Sequence, residues 1–129
     1  KDNDTDSHQI SNGGALTIQP GNYMVLGRNA NSATNGGVTV AYQYSGIDLA
    51  NGADEIILYL ADGVTEIDRV EYDGGVTWPD PTGASMYFTG SASDDNNIGA
   101  NWSVSTLPWD GSAGDLGSPG YGNMPSLVG

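Results

Sequence analysis

The stretch NGADEIILYLADGVTEIDRVEYDGG, residues 51–75, decides the fold class of this chain. Five successive apolar residues at 56–60 are typical of a strand that is covered on both faces. The Asp-Gly pair at 62–63 is a hairpin turn signal. The returning run at 64–72 alternates with one slip in phase, which predicts a β-bulge near Asp68. The whole stretch is therefore predicted to form a β-hairpin.

Short segments in which apolar residues recur at every second position flank this hairpin. The sequence shows no run of apolar residues with the 3.6-residue period of an amphipathic helix. The 129 residues include 20 glycines, and each interior glycine costs a helix about 1 kcal/mol relative to alanine. We therefore predict one all-β domain over residues 1–129, with a polar leading loop at 1–13 and a Gly/Pro-rich tail at 110–129. Together with the hairpin, the further segments give about seven short strands. These segments are 16–18, 23–26, 38–44, 86–88 and 102–104.

The charge of the chain is strongly acidic and limits its partners. The net charge is −13, and the only basic residues are Lys1, Arg28 and Arg69. Nucleic-acid binding needs clustered lysines and arginines, so we expect no nucleic-acid partner. No apolar run is long enough to cross a bilayer, so we expect no membrane insertion. The absence of cysteine excludes disulfides, and the richness in Asp, Asn, Gly and Thr predicts an extracellular or cell-surface location.

Several short motifs follow one another along the chain in a recognisable order. They are IQPGNYMVLG at 18–27, LANGADEIILYLADG at 49–63, IDRVEYDGG at 67–75, Trp-Pro at 78–79, GAS at 83–85, Trp102, and GSPG at 117–120 with Asn123. In this order the chain resembles lamin tail domains, above all those of secreted bacterial proteins. The resemblance implies an immunoglobulin-like β-sandwich that serves as an interaction module without family-wide catalytic residues. One departure is MYF at 86–88, where relatives often carry Glu-Arg.

The resemblance also implies opening strands that come before a loop like the one at residues 2–7, and this sequence lacks them. A sandwich without these strands leaves backbone edges unpaired. We therefore expect a protein partner, either another copy or a second polypeptide, to supply the missing strands. Two alternatives stay open: the missing part belongs to a longer chain, or residues 1–17 are rerouted into the empty position.

Alternating acids near the start of the chain are candidate calcium ligands. Asp2, Asp4 and Asp6 are spaced as in calcium loops, and carboxylate oxygens suit this hard cation. The glycine and glutamate that an EF-hand requires are absent, so the alternative is a solvated turn. A second oxygen-rich loop, DDNN at 94–97, is a weaker candidate. Calcium is the only cofactor that the sequence suggests.

Large aromatic residues outside the alternating strands are candidates for contact with a carbohydrate or a protein partner. These are Trp78, Trp109 and Tyr121, whose rings could stack on sugars if they are exposed. The alternative is that both tryptophans, each next to a proline, pin loops against the sandwich. Trp102 is in phase with Val104 and is predicted to belong to the core.

Nothing in the sequence supports catalysis. His8 is the single histidine, and no nucleophile elbow, phosphate loop or His-Glu metal motif accompanies it. The sequence predicts a non-enzymatic extracellular structural or adhesive module that is self-assembling or completed by another chain. The alternatives are a calcium-assisted carbohydrate-binding module and a targeting appendage of a secreted hydrolase.

Overall fold

The computed structural model describes residues 6–11 and 16–122, and the secondary structure within them is almost entirely β. The one helical element in these residues is a 3-10 turn at Gly99–Asn101. The prediction of an all-β class is therefore confirmed, whereas the sandwich of about seven strands stays a prediction. The strands are β1 Leu26–Gly27, β2 Tyr42–Gln43, β3 Ala53–Tyr59, β4 Glu66–Asp73, β5 Met86–Phe88 and β6 Trp102–Val104.

The strands pair into three separate two-stranded sheets, β1–β2, β3–β4 and β5–β6. The chain divides into two compact units whose segments interleave along the sequence. The prediction of a single domain over residues 1–129 therefore remains a prediction. The first unit contains Lys1–Gln9, Gly46–Thr82 and Met86–Val104, and the second contains Ile10–Ser45, Gly83–Ser85 and Ser105–Gly129.

The hairpin of the first unit forms as predicted, from β3 and β4 in antiparallel register. Leu58 pairs with Asp68 and Tyr59 pairs with Glu66, so the register shifts between Leu58 and Tyr59. Ile67 is the extra residue on β4, and the predicted bulge near Asp68 is confirmed.

The turn of this hairpin is held by one carboxylate. Asp62 accepts hydrogen bonds from the backbone N–H groups of Val64 at 2.9 Å and Thr65 at 2.8 Å. Gly63 has φ +70°, a left-handed conformation that glycine adopts at little cost. Hydrogen bonds from Thr65, first from its hydroxyl and then from its N–H, lower the pKa of Asp62. The Asp-Gly pair thus supplies both the backbone freedom and the acceptor that this turn needs.

An aromatic cluster forms the core of the first unit. The ring of Trp102 on β6 lies 5.6 Å from the rings of both Trp78 and Phe88, centroid to centroid. The tilted geometry of both pairs is one that aromatic quadrupoles favour. Trp102 is partly buried, as predicted for a core position, and its indole N–H donates to the carbonyl of Asn96 at 2.8 Å.

The sheet of the second unit is shorter than the alternation predicts. Leu26 pairs with Tyr42 and Gly27 with Gln43, in parallel, so strand structure at 38–44 is limited to two residues. At the start of this segment, the side-chain amide of Asn35 donates to the carbonyl of Val38 at 3.0 Å and accepts from its N–H at 2.9 Å. These bonds occupy the backbone groups with which Val38 would join a sheet.

The stability of the first unit is expected to fall in acid. Hydrogen bonds lower the pKa of Asp62, Glu66, Glu71 and Asp94, with Thr65, Arg69, Asn97 and Ser91, respectively, as the largest cause. The unfolded chain therefore takes up protons at a higher pH than the folded chain. The stabilisation is present above the ordinary values of 4.5 for glutamate and 3.8 for aspartate, and it is lost as pH falls through the lowered folded values.

Urea midpoints measured between neutral pH and pH of about 3, in salt of about 0.5 M to screen long-range repulsion, should show this decline. Asp62→Asn is the matched control, since its amide oxygen still accepts a hydrogen bond but does not titrate. The decline should be shallower in that variant. Equal slopes for the two proteins would show that the bonds of Asp62 do not contribute.

Candidate functional site

A groove in the second unit brings together residues that are far apart in sequence. It encloses about 510 Å³. Tyr23 and Tyr121 lie along it with 63 % and 71 % of their surface exposed. The other lining residues are Thr17, Ile18, Gln19, Asn22, Met24, Val25, Gly37, Val38, Thr39, Ala41, Trp109, Asp110, Pro119 and Gly120. The groove thus includes two of the three predicted aromatic contact residues, Trp109 and Tyr121.

Trp109 has a structural role as well as a place in the groove. Its indole N–H donates to the carbonyl of Gly36 at 2.8 Å, which ties the segment after β6 to the loop before β2. Its ring lies within 3.6 Å of the position that a Cβ on Gly117 would take. Trp109 therefore holds a loop, as the alternative interpretation of this residue proposed, and it also forms part of the groove wall.

Trp78 is in a different position from the other two candidates. Only 7 % of its surface is exposed, and its ring packs against that of Trp102 in the first unit. Asp73 accepts the backbone N–H of Trp78 at 3.0 Å, along with both the N–H and the hydroxyl of Thr77. This burial favours the alternative in which Trp78 packs against the protein itself, and its ring offers no open face for a sugar.

An apolar stripe on the β3–β4 hairpin is the second candidate surface. Ile56, Leu58 and Leu60 alternate along the chain and are 48 %, 45 % and 50 % exposed, whereas Ile57 between them is 4 % exposed. Val64 and Ile67, at the turn and the bulge, are also exposed. We call these five residues the apolar stripe. The sequence predicts a strand covered on both faces, and the exposure of the stripe is a departure from that prediction.

The side chains of the oxygen-rich loop at 94–97 form hydrogen bonds with other residues of the protein. The side chain of Asn97 accepts the N–H of Glu71 at 2.7 Å and donates to its carboxylate at 2.9 Å. The amide of Asn96 donates to both carboxylate oxygens of Asp68, at 3.0 and 2.8 Å. Asp94 accepts the N–H and the hydroxyl of Ser91. This loop therefore fastens the side of β4, a role that explains its composition without a metal ion.

The predicted calcium site falls mostly outside the described residues. Asp2 and Asp4 are not among them, and Asp6 is half-buried. Within residues 6–11 and 16–122, no three histidine, aspartate or glutamate side chains lie together in a way that could hold a metal ion. The calcium site at Asp2, Asp4 and Asp6 thus stays a prediction.

A cluster of three charged side chains lies on β4. Arg69 donates to Glu66 at 2.8 Å and to Glu71 at 2.9 Å, and these bonds raise the pKa of the guanidinium further above its already high value. This pairing is exposed, so it contributes little to stability.

In the part of the chain that the structure describes, no helix is both long enough and apolar enough to span a bilayer.

Comparison with known proteins gives no family assignment. No family model, curated protein or solved structure matches this chain. The resemblance to lamin tail domains, the extracellular location and the non-enzymatic role therefore remain predictions, and His8 gains no assigned role.

Sequence reasoning missed two features of these surfaces. Tyr23 was assigned to a strand, so its position in the same groove as Tyr121 was not predicted; 98 positions separate the two residues, and no local pattern links them. The exposure of Ile56 and Leu58 was missed because a continuous apolar run does not distinguish a covered face from an uncovered one.

Proposed function

We propose that this chain is a non-enzymatic extracellular structural or adhesive module that assembles through the apolar stripe of its β3–β4 hairpin. The observation that carries the proposal is the exposure of Ile56, Leu58 and Leu60 on one face of a sheet with only two strands among the described residues. Contiguous exposed apolar surface of this kind marks a site of protein interaction.

The energetic argument is that the first unit buries few apolar side chains, so that burying more apolar surface would stabilise it. Its buried apolar side chains, within the described ranges, are Ile57 and Trp78. Two-stranded sheets are marginal by themselves. Covering the exposed part of each stripe residue would contribute on the order of 1 kcal/mol per side chain. A partner segment that packs on the stripe would thus bury the face of the hairpin opposite to that of Ile57.

A second copy of this chain is the partner that we propose for the stripe. Two-fold pairing brings the same patch of each copy together, so an apolar stripe is complementary to itself. Each copy has a net charge of −13, which opposes association at low ionic strength. The expected signature is association that strengthens as salt screens this repulsion. A different, basic polypeptide would bind more weakly as salt rises, so the direction of the salt effect distinguishes the two partners.

The finer features of the proposal are an immunoglobulin-like sandwich resembling a lamin tail domain, and a location outside the cell. The described strands support the first of these only at the level of fold class, and they have no bearing on the location. The acidic composition and the lack of cysteine are compatible with both. A calcium-assisted carbohydrate-binding module is the second candidate function, and the aromatic groove of the second unit is the observation that favours its carbohydrate part.

A pair of lysine substitutions tests the stripe. Leu58→Lys places a charge in the stripe, whereas Val76→Lys makes the same charge change at a residue that is 82 % exposed and outside the stripe. We expect Leu58→Lys to weaken self-association at least about tenfold and Val76→Lys to leave it unchanged or slightly stronger. Sedimentation equilibrium of the three proteins measures this. Equal effects of the two substitutions would mean that net charge, not the stripe, controls assembly.

A further inference from the structure

The side chains that line the groove of the second unit play no part in the proposed assembly. All seven tyrosines of the chain lie in its described part, and only Tyr23 and Tyr121 are classed as exposed there. Both line this groove, together with Trp109. Exposed aromatic rings that collect in one concavity, rather than scatter over the surface, indicate a binding surface with flat apolar faces.

Three polar side chains that line the same groove form no hydrogen bond within the described part of the chain. Within residues 6–11 and 16–122, the side chains of Gln19, Asn22 and Thr39 form no hydrogen bond to the protein, although the backbone of Asn22 donates to Gln19 at 3.0 Å. Their amide and hydroxyl groups supply donors and acceptors without charge. The groove thus combines flat apolar faces with neutral hydrogen-bonding groups.

The charged side chains that line the groove limit the kinds of ligand that can bind there. Among the described residues that line it there is no lysine or arginine, and the single carboxylate is that of Asp110. Phosphates, sulfated sugars and other anions would find no cation to pair with and would meet the net charge of −13. The volume of about 510 Å³ lies within the range of small-ligand sites. A neutral polyhydroxylated ligand with apolar C–H faces matches both the rings and the uncharged polar groups.

We infer that this groove is a subsite for a neutral oligosaccharide, with sugar rings stacked on Tyr23 and Tyr121 and hydroxyl groups bonded to Gln19 and Asn22. Trp109 also lines the subsite and is fixed by its bond to Gly36. Because Asp110 carries the single carboxylate among the described residues of the lining, we expect binding in this groove not to depend on calcium. The inference stands on the second unit alone and does not rest on assembly through the apolar stripe of the first.

Calorimetric titration with neutral hexasaccharides tests the inference. The probes are β-1,4-linked glucose, β-1,4-linked N-acetylglucosamine, β-1,4-linked xylose and β-1,4-linked mannose oligomers. We expect at least one of them to bind with a Kd on the order of 0.1–1 mM, the strength of a few stacked rings. Binding should be the same in calcium and in EDTA. Loss of binding in EDTA would overturn the inference, since the groove residues would then not suffice.

Two substitutions locate the binding in the groove. Tyr121→Ala and Tyr23→Ala should each raise the Kd at least about tenfold. Tyr121→Phe, which keeps the ring, should raise it no more than about threefold. Val76→Ala, at an exposed residue of the first unit, is the control and should have no effect. Backbone amide NMR spectra verify that each variant is folded. Both alanine variants replace exposed side chains, so folding should survive.

Besides loss of binding in EDTA, three results with the untruncated chain would overturn the inference. These are no binding to any of the four oligomers, binding that both alanine variants leave unchanged, and preferential binding of choline chloride, which would make the rings a cation site next to Asp110. Binding that appears only after removal of residues 123–129 would also overturn it, because the groove would then belong to a segment of the same chain.

Discussion

Replacing Trp102 by alanine is expected to lower the free energy of unfolding of this chain by about 3 kcal/mol. The reason is that the indole ring contacts both Trp78 and Phe88, at 5.6 Å between centroids, in a unit with few other buried apolar side chains. Its N–H also bonds to the carbonyl of Asn96, the loop residue that reaches Asp68 on β4. Urea denaturation followed by far-UV circular dichroism measures the loss.

Two companion variants separate packing from hydrogen bonding at this position. Trp102→Phe keeps an aromatic ring but leaves the carbonyl of Asn96 without its donor, so the expected loss is about 1–2 kcal/mol. Val104→Ala, two residues along the same strand and partly exposed, should cost less than about 1 kcal/mol. A Trp102→Ala midpoint indistinguishable from that of Val104→Ala would show that the aromatic cluster does not hold the first unit together.

Replacing Gly111 by alanine is expected to destabilise the second unit by roughly 2–4 kcal/mol. The added Cβ would lie 2.5 Å from the carbonyl oxygen of Gly36 and 3.1 Å from its carbonyl carbon. Gly36 cannot move away freely, because the indole N–H of Trp109 bonds to the same oxygen. Gly111 also has φ +93°, a conformation that L-residues seldom adopt.

Gly114→Ala is the control for this substitution. Gly114 has φ +130°, but nothing lies within 4 Å of the position of an added Cβ, so its variant reports backbone strain without the clash. The expected order of stability is wild type, then Gly114→Ala, then Gly111→Ala. Hydrogen exchange at residues of the second unit measures the difference locally. An equal loss in the two variants would indicate that the close approach of Gly111 to Gly36 is unimportant.

The hairpin is the part of the fold that sequence reasoning predicts best. Alternation, an Asp-Gly turn and one slip in phase are local signals, and β3, β4 and the bulge at Ile67 follow them. The positions of β5 and β6 also match the predicted segments around Phe88 and Trp102. Local patterns suffice here because each strand pairs with a partner whose register is set by packing on one face.

The second unit is where local patterns were insufficient. Apolar and polar residues alternate clearly at 38–44, yet the side chain of Asn35 hydrogen-bonds to the backbone of Val38. The segment pairs with Leu26–Gly27 over two residues only, and in parallel. Alternation states which side chains share a face, but it does not say where the backbone hydrogen bonds go. For the same reason the groove was predicted only as separate aromatic residues, Trp109 and Tyr121, and without Tyr23.

The mass of the wild-type chain in solution tests the central proposal most directly. The monomer has a mass of 13.3 kDa. We predict that sedimentation equilibrium gives a weight-average mass that rises towards twice this value with increasing concentration, and more readily in salt of about 0.5 M than of about 0.05 M. A single 13.3 kDa species at every concentration and both salt levels would contradict assembly through the apolar stripe.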